Sequence, residues 1–348
     1  MGSIHNLDER KGAILRAIVS HYVRSGEPVG SKAVAEHFPT KVSPATVRNE
    51  MAILEDFGFI FQPHTSAGRI PTDAGYRYYV DAWTAHPRLS VRDSRRVRSF
   101  FGEPRYELED SLRRTASLLS DLTDHAAMVF SPSLERSIVR HLELVKLTDE
   151  RAMLVVVTNT GWVENHIILS PDAGDEVTLA NVAELLNRLV VGTPHESVAE
   201  TILDGVDRLP LEFRDLAGNV SAVLKEEMLA RGAERVFLEG TSNIVDEQKF
   251  SDLETVRQVI GVLEHRRVLL ELVADAVAVE RVMVRIGIEN DIEEMRSCSV
   301  ITAPYAIEGN TIGTLGIVGP TRMDYRRTIA AVNEVAEHLG RMLAGPID

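Results

Sequence analysis

The sequence predicts an α+β chain of several domains, opened by a winged helix-turn-helix unit. Three observations carry this. A serine–proline pair, Ser43-Pro44, begins a helical pattern that closely follows two others. A short hairpin pattern comes directly after it. Beyond residue 107, strand and helix patterns alternate and are interrupted midway by a mainly helical stretch. Strands flanked by helices in that order read as one α+β unit carrying an insertion.

The first helix spans residues 7 to about 25, because Ile14, Ile18, Val19 and Tyr22 share one face of a 3.6-residue period. Gly26-Glu27-Pro28 stops it. Ser31 is expected to cap a second, short helix through residue 38, with Val34, Ala35 and Phe38 inward. Pro39-Thr40-Lys41 is a turn. A serine at the N-cap and a proline at the first helical position then start a third helix at Ser43-Pro44. It runs to about Phe57, with Val47, Met51 and Leu54 inward, and Gly58 ends it. Phe59-Ile60-Phe61 reads as a strand and Arg69-Ile70 as its return, across a loop whose turn glycine is Gly68. Two short helices joined by a tight turn form a helix-turn-helix, and the hairpin adds the wing.

The remaining elements follow in order. Residues 82–106, with Pro87, an arginine run and Gly102-Glu103-Pro104, read as a linker. A long amphipathic helix is expected at 107–129. Strands follow at 138–147, 153–158 and 162–169, then helices at 179–191 and 195–203. The stretch 207–280 is read as the insertion. It holds a helix at 211–230, a strand at 236–239 and helical stretches at 251–264 and 266–278, with Leu253, Val256, Ile260 and Leu263 on an apolar face. Strands return at 281–288, 299–305 and 311–318, and a last helix at 324–343 presents Ile329, Val332, Ala336 and Leu339 together. The domains are therefore 1–81, the linker 82–106, an α+β unit in two parts (107–206 and 281–348), and the insertion 207–280.

Composition narrows the function. The 348 residues are 44% hydrophobic, enough to bury a core throughout, and carry a net charge of −14. That charge is unevenly placed: residues 1–81 hold nine basic and nine acidic side chains, so the rest of the chain carries the whole excess. Arg88, Arg92, Arg95, Arg96 and Arg98 face only Asp93. They graze DNA phosphate or form a solvated helix face. A DNA-contacting face needs local positive charge, so the split permits DNA binding at the N-terminal end and disfavours it elsewhere. One cysteine, Cys298, excludes an internal disulfide, fits a reducing cytoplasm and reads as a small buried hydrophobe. No apolar run approaches the roughly 18 residues of a membrane span, and residues 1–6 show neither a signal-peptide nor a myristoylation pattern.

Enzyme motifs are missing. The sequence has no P-loop, no dinucleotide fingerprint, no nucleophile elbow and no zinc-binding histidine or cysteine pattern, so no catalytic residue, metal or cofactor is expected. Gly309, Gly313, Gly316 and Gly319 read as turn glycines. Glu289, Asp291, Glu293 and Glu294 read as a solvated acidic turn, and Arg322, Arg326 and Arg327 as an ion-pairing cluster or, less simply, an anion site.

The third helix carries the candidate site. At 100° per residue, Ala45, Asn49 and Ala52 lie opposite Val47, Met51 and Leu54, with Arg48 beside them. Small alanines allow close approach to base edges, an arginine fork matches guanine and an asparagine amide matches adenine. Ser43, Thr46 and the free N–H groups of the helix start that Pro44 opens suit phosphate, and Pro44 belongs to the same DNA-facing end. In the wing, His64, Thr65, Ser66 and Arg69 suit backbone phosphate or the minor groove. A solvated helix face, or a winged helix that binds protein, stands beside this reading.

Ser43-Pro44-Ala45-Thr46-Val47-Arg48-Asn49-Glu50-Met51, the run from Gln62 to Asp73 and Gly75-Tyr76-Arg77-Tyr78-Tyr79-Val80-Asp81 resemble the HrcA family of heat-inducible transcription repressors. Ile286-Gly287-Ile288-Glu289-Asn290 and the run from Gly316 to Tyr325 resemble it as well, while Pro44 and Ile53 depart from its pattern. The resemblance implies a GAF-like α+β domain with an inserted dimerisation domain at 207–280. It implies a homodimer on double-stranded DNA at an inverted-repeat operator, the CIRCE element, of chaperone operons. It further implies that the GroEL chaperonin keeps the repressor active and that heat withdraws this help. A regulator whose GAF-like domain senses a small molecule is the alternative.

Overall fold

The computed structural model describes residues 7–38, 42–65, 67–83, 87–102, 107–132, 137–169, 175–230, 235–244, 253–265, 268–272, 281–307 and 309–344. Three helices and a hairpin open the chain. Helix α1 (Glu9–Ser25) begins at Asp8, whose side chain accepts from the Lys11 N–H. Helix α2 (Ser31–Glu36) is entered from extended Gly30 with no side-chain cap, so Ser31 is its first helical residue rather than its cap, and the helix stops short of Phe38. The turn 39–41 lies outside the described residues. Helix α3 (Pro44–Asp56) starts as expected, with Ser43 accepting from the Thr46 N–H at 3.0 Å. Strands β1 (Ile60–Phe61) and β2 (Ile70–Pro71) pair antiparallel and form the wing.

Helix α4 (Asp73–Trp83) completes this unit by sending Tyr76 and Val80 into its core. Residues 82–106, expected as a linker, contain helix α5 (Val91–Phe101), capped by Ser90. Its Val97 is buried, its Ser94 donates to Glu334 at 3.0 Å, and Phe101 stacks on His338. The arginine run hides this packing in the sequence, because one buried valine and two phenylalanines suffice to dock a three-turn helix.

The expected helix at 107–129 divides in two. Helix α6 (Leu108–Thr123) ends at left-handed Asp124, and Ala126–Phe130 forms strand β3. A short apolar run reads equally as buried helix or buried strand, and the pairing partners decide. The next elements are β4 (Val139–Thr148), β5 (Arg151–Thr158), β6 (Val163–Leu169), α7 (Glu176–Val190), α8 (Val198–Gly205) and α9 (Arg214–Ala230). The chain then runs through β7 (Val236–Glu239), α10 (Leu253–Glu264), β8 (Met283–Ile286), β9 (Cys298–Ile307), β10 (Asn310–Pro320) and α11 (Tyr325–Ala344).

Two sheets follow from these strands. A five-stranded antiparallel sheet has the order β7-β3-β10-β9-β8. One face packs on α6 and α11 through Ala127, Val129, Ile301, Leu315 and Ile317. The other packs on α10 through Ala126, Met128, Val300 and Val318, with Val256 and Val259 opposite. Cys298 is fully buried there, and burial pushes its thiol up to about 12. Gly313, Gly316 and Gly319 lie within β10 rather than in turns. A Cβ at Gly316 would meet the Ile301 carbonyl oxygen at 2.5 Å, so the glycines there admit close strand packing.

The second sheet, β4-β5-β6, carries α7, α8 and α9 on one face and closes its own core between Val139 and Leu224. His195 Nε2 lies 2.9 Å from buried Glu164 Oε2 and fastens the turn before α8 to β6. The strand pairing bears on the stretch expected as the insertion. Strand β7 pairs with β3, and α10 covers the five-stranded sheet, so the described residues 236–244, 253–265 and 268–272 pack with that sheet. The unit set between β3 and β7 is the three-stranded module. The long β4–β6 meander resembles the start of any α+β domain, which is why its independence is invisible in the sequence.

The buried side chains of the winged helix run without a break into the α6/α11 face of the five-stranded sheet. Gly75 sits where α4 passes under β1, and a Cβ there would fall against the Phe59 carbonyl oxygen. Because that atom is backbone, it cannot rotate away. Gly75→Ala is expected to destabilise the winged helix by about 1–3 kcal/mol, read as a lower denaturant midpoint with an unchanged slope.

Candidate nucleic-acid interface

Helix α3 presents a clean outer face. Pro44, Ala45, Arg48, Asn49 and Ala52 are exposed, while Val47, Met51 and Leu54 are buried against α1 and the hairpin. Ser43 fixes the helix start, and its Oγ lies 2.8 Å from Thr46 Oγ1, so the two hydroxyls sit together at the N-terminal end. That end carries the unpaired N–H groups of the first turn and the positive pole of the helix dipole, a setting that favours an anion.

The electrostatics of α3 depend on pairings the sequence did not reveal. Glu50 lies 3.9 Å from Arg10 and 3.5 Å from Lys11, both on α1. Glu55 receives the Arg69 guanidinium at 2.8 and 2.9 Å. These two carboxylates of the helix are thereby neutralised from behind. Arg48 is exposed and has no ion pair among the described residues. On this outer face the positive groups, Arg48 and the helix start, lie toward the N-terminal end, and exposed Asp56 lies at the C-terminal end.

The wing is braced from inside. Gln62 donates from Nε2 to the carbonyls of Thr65 and Ala67, both at 2.9 Å. Arg69 exchanges two backbone hydrogen bonds of 2.9 Å with Val29, which ties the hairpin to the turn between α1 and α2. A Cβ at Gly68 would meet the Val29 backbone at 2.5 Å, so the glycine lets the two segments touch. His64 and Thr65 are exposed at the tip, and Ser66 lies outside the described residues.

The ten expected site residues thus divide. Ser43, Pro44, Ala45, Thr46, Arg48 and Asn49 share one end and face of α3, and His64 and Thr65 stand on the wing tip. Arg69 is turned inward and holds the wing to α3. Gln62 and Glu55 complete the bracing and were not singled out from sequence. Each has a long-range or loop partner that periodicity cannot display. The arginines of α5 are divided too: Arg96 pairs with Asp121 at 2.6 Å, whereas Arg92, Arg95 and Arg98 are exposed. Of the C-terminal cluster, Arg327 lies 3.7 Å from Asp93 and 4.0 Å from Asp124, so ion pairing occupies it. No helix among the described residues is long and apolar enough to cross a membrane.

Comparison with known proteins agrees with this geometry. Residues 6–81 match the family described as "Winged helix-turn-helix transcription repressor, HrcA DNA-binding", and residues 109–329 match "HrcA protein C terminal domain". The heat-inducible transcription repressor HrcA of Thermobifida fusca is 43% identical over 339 residues, 97% of this chain and 98% of that protein. The protein of the same name from Acidothermus cellulolyticus is 43% identical over 340 residues, 97% of this chain and 99% of that one. A crystal structure of a hypothetical protein at 2.2 Å resolution superimposes with a TM-score of 0.65 at 24% identity, covering 97% of this chain and 99% of that one, and shares the fold. A DNA-binding winged helix joined to a mixed α+β body, matched over nearly its whole length, makes this chain a member of the HrcA family of heat-inducible transcription repressors, a DNA-binding regulator rather than an enzyme.

Proposed function

We propose that the chain acts as a homodimer that represses chaperone operons of the groE and dnaK type by binding the CIRCE inverted repeat, and that it is released on heat stress. The observation that carries this reading is the outer face of α3. Arg48 and Asn49 stand free near the capped start of the helix between two alanines, with Glu50 and Glu55 paired from behind and Asp56 kept to the far end. Placed in a major groove, Arg48 suits the O6 and N7 of guanine and Asn49 the N6 and N7 of adenine. Ser43, Thr46 and the first-turn N–H groups hold a flanking phosphate, and His64 and Thr65 reach the backbone or minor groove from the wing. Arg69 acts here through the wing it holds.

A palindromic operator is read by two recognition helices related by a twofold axis, so a second copy is required. The outward face of β4–β6 supports where that copy docks. Across its strands Val145, Met153 and Ile167 form one row and Val157 and Val163 another. Val145, Val163 and Ile167 are exposed, as is Leu169 beside them. In the three strands Glu143 is the only outward carboxylate, with His141 Nε2 3.0 Å away. On a chain of charge −14, two copies repel least where carboxylates are fewest. These features support dimerisation through the module at 139–224 in preference to 207–280. The resemblance to the family supports the remaining parts of the reading: a cytoplasmic protein, with the nucleoid when bound, kept active by GroEL.

The deciding experiment is fluorescence anisotropy with a labelled inverted-repeat duplex against a scrambled one, over a salt series, with and without GroEL. Operator-selective binding that weakens as salt rises, and strengthens with GroEL, is the expected result. Equal weak binding to both duplexes by folded protein would overturn it. Arg48→Ala should cost about 1–3 kcal/mol of operator affinity and relax selectivity at one base pair; unchanged affinity removes that residue from the readout. Ile167→Asp should convert the dimer to a monomer in light scattering, with operator affinity lost and the winged helix still folded. A persisting dimer would place the interface elsewhere.

A further inference from the structure

Two sequence motifs take no part in the DNA-facing surface: the α4 residues Asp73 to Asp81, and the turn Gly287-Ile288-Glu289-Asn290 between β8 and β9. The structure brings them together. Arg77 Nε donates to Glu289 Oε1 at 2.7 Å, and a second nitrogen of the same guanidinium pairs with Glu289 Oε2. That second nitrogen also donates to the Val284 carbonyl at 2.5 Å. Asp73 accepts from the Ile288 N–H at 3.0 Å. The rings of Tyr76 and Tyr325 pack behind, their centroids 5.5 Å apart and both side chains buried.

Both halves of this contact are held rigidly. On the winged-helix side, Thr72 receives the Gly75 N–H at 3.1 Å and donates to the Gly58 carbonyl at 2.6 Å, which fastens α4 to the end of α3. On the other side, Glu289 accepts from the Ile286 N–H at 2.9 Å. Buried Asn290 donates from Nδ2 to the carbonyls of Gly287, Met295 and Cys298, each at 3.0 Å. Gly287 has φ +54°, and a Cβ there would fall into the Asp73 carboxylate. Burial raises the Asp73 carboxyl above its ordinary range, against the hydrogen bond from Ile288. A fork-to-fork arginine–carboxylate pair fixes orientation as well as distance, which a single-point contact does not.

We propose that Arg77, Asp73 and Glu289 are positioning residues for DNA binding: their clamp sets the angle of the winged helix on the C-terminal body, and so the half-site spacing that a dimer accepts. The inference rests on the twofold reading proposed above. Half-sites lie about one helical turn, or a multiple of it, apart, and one added base pair displaces and rotates the second site. Only a recognition helix held at a fixed angle converts that displacement into lost affinity. A loose one follows it.

The test uses the full-length protein and two measurements. The first is anisotropy on inverted-repeat duplexes whose spacer changes one base pair at a time, beside a duplex with a single half-site. Wild type should favour one spacer at least tenfold over its neighbours. Arg77→Ala should bind the single half-site within twofold of wild type, lose about tenfold at the best spacer, and vary less than threefold across the series. Arg77→Lys, which keeps charge without the fork, should fall between. A wild-type spacer profile in Arg77→Ala overturns the proposal, and so does a matching loss at the single half-site, which would mark a residue of the fold.

The second measurement does not involve DNA. Spin labels at Glu36→Cys on α2 and Asn333→Cys on α11, in chains diluted with unlabelled protein, report the distance across the clamp. Cys298 is buried and does not compete for label. A narrow distribution in wild type that broadens in Arg77→Ala and Glu289→Gln supports the clamp, and unchanged widths overturn it. A flat spacer profile in wild type overturns the twofold reading and the spacing claim with it, while the label widths still decide whether the clamp exists.

Discussion

The pairing of β3 with β10 is the constraint on which the C-terminal body is built. Ala126–Val129 lie in register with Val318–Leu315, across almost the whole length of the body. Closing so long a loop costs entropy, although the cost grows only slowly with length. The alternation of the strands meets it. Ala127, Val129, Leu315 and Ile317 face α6 and α11, while Ala126, Met128 and Val318 face α10, so each added pair buries apolar surface on both sides. The chain between β3 and β7 imposes little further penalty, because its sheet and three helices enclose a core of their own.

Local pairing also explains how an acidic chain presents a positive helix end to DNA. Charge is local at ordinary ionic strength, where screening acts over about 8–10 Å. What matters to a phosphate near α3 is Arg48 and the helix start, not the carboxylates of the distant body. Of the acids on the helix, Glu50 and Glu55 are held by Arg10, Lys11 and Arg69, and Asp56 stands at the end away from the cap. Arg69 serves two ends at once: it removes a negative charge beside the reading helix and fixes the wing against it. Gln62, bonded to two loop carbonyls, then keeps the tip in shape without presenting any charge of its own.

The winged helix is not tethered by its linker alone. Its core is continuous with the α6/α11 side of the sheet, and Tyr76 and Tyr325 meet inside that continuity. Helix α5, which follows it in the chain, lies along α11 instead of extending into solvent. An apolar junction of this kind is non-directional and holds two bodies together at many angles. The Arg77–Glu289 fork and the Asp73–Ile288 bond at its edge select one of them. The exposed apolar side of β4–β6 lies on a separate module, so the surfaces proposed for DNA and for a second copy are distinct parts of one architecture.

Sequence alone determined whatever rests on local rules. The Ser43-Pro44 helix start, the inward row Val47, Met51 and Leu54, the opposite row with Arg48 and Asn49, and the hairpin after them all follow from capping, periodicity and turn chemistry within a few residues. The last helix and most strand positions were legible for the same reason, and the motifs at 43–51, 62–73 and 316–325 carried the family. Tertiary structure decided what depends on partners far along the chain. Residues 126–130 became a strand because β7 and β10 flank them. Residues 236–239 joined that sheet, and the β4–β6 module closed a core of its own. Arg69, expected at the DNA surface, also braces the wing because Glu55 stands beside it. Side-chain pairs and strand neighbours are set by where the backbone returns in space, and a one-dimensional period of 2 or 3.6 residues carries no record of that return.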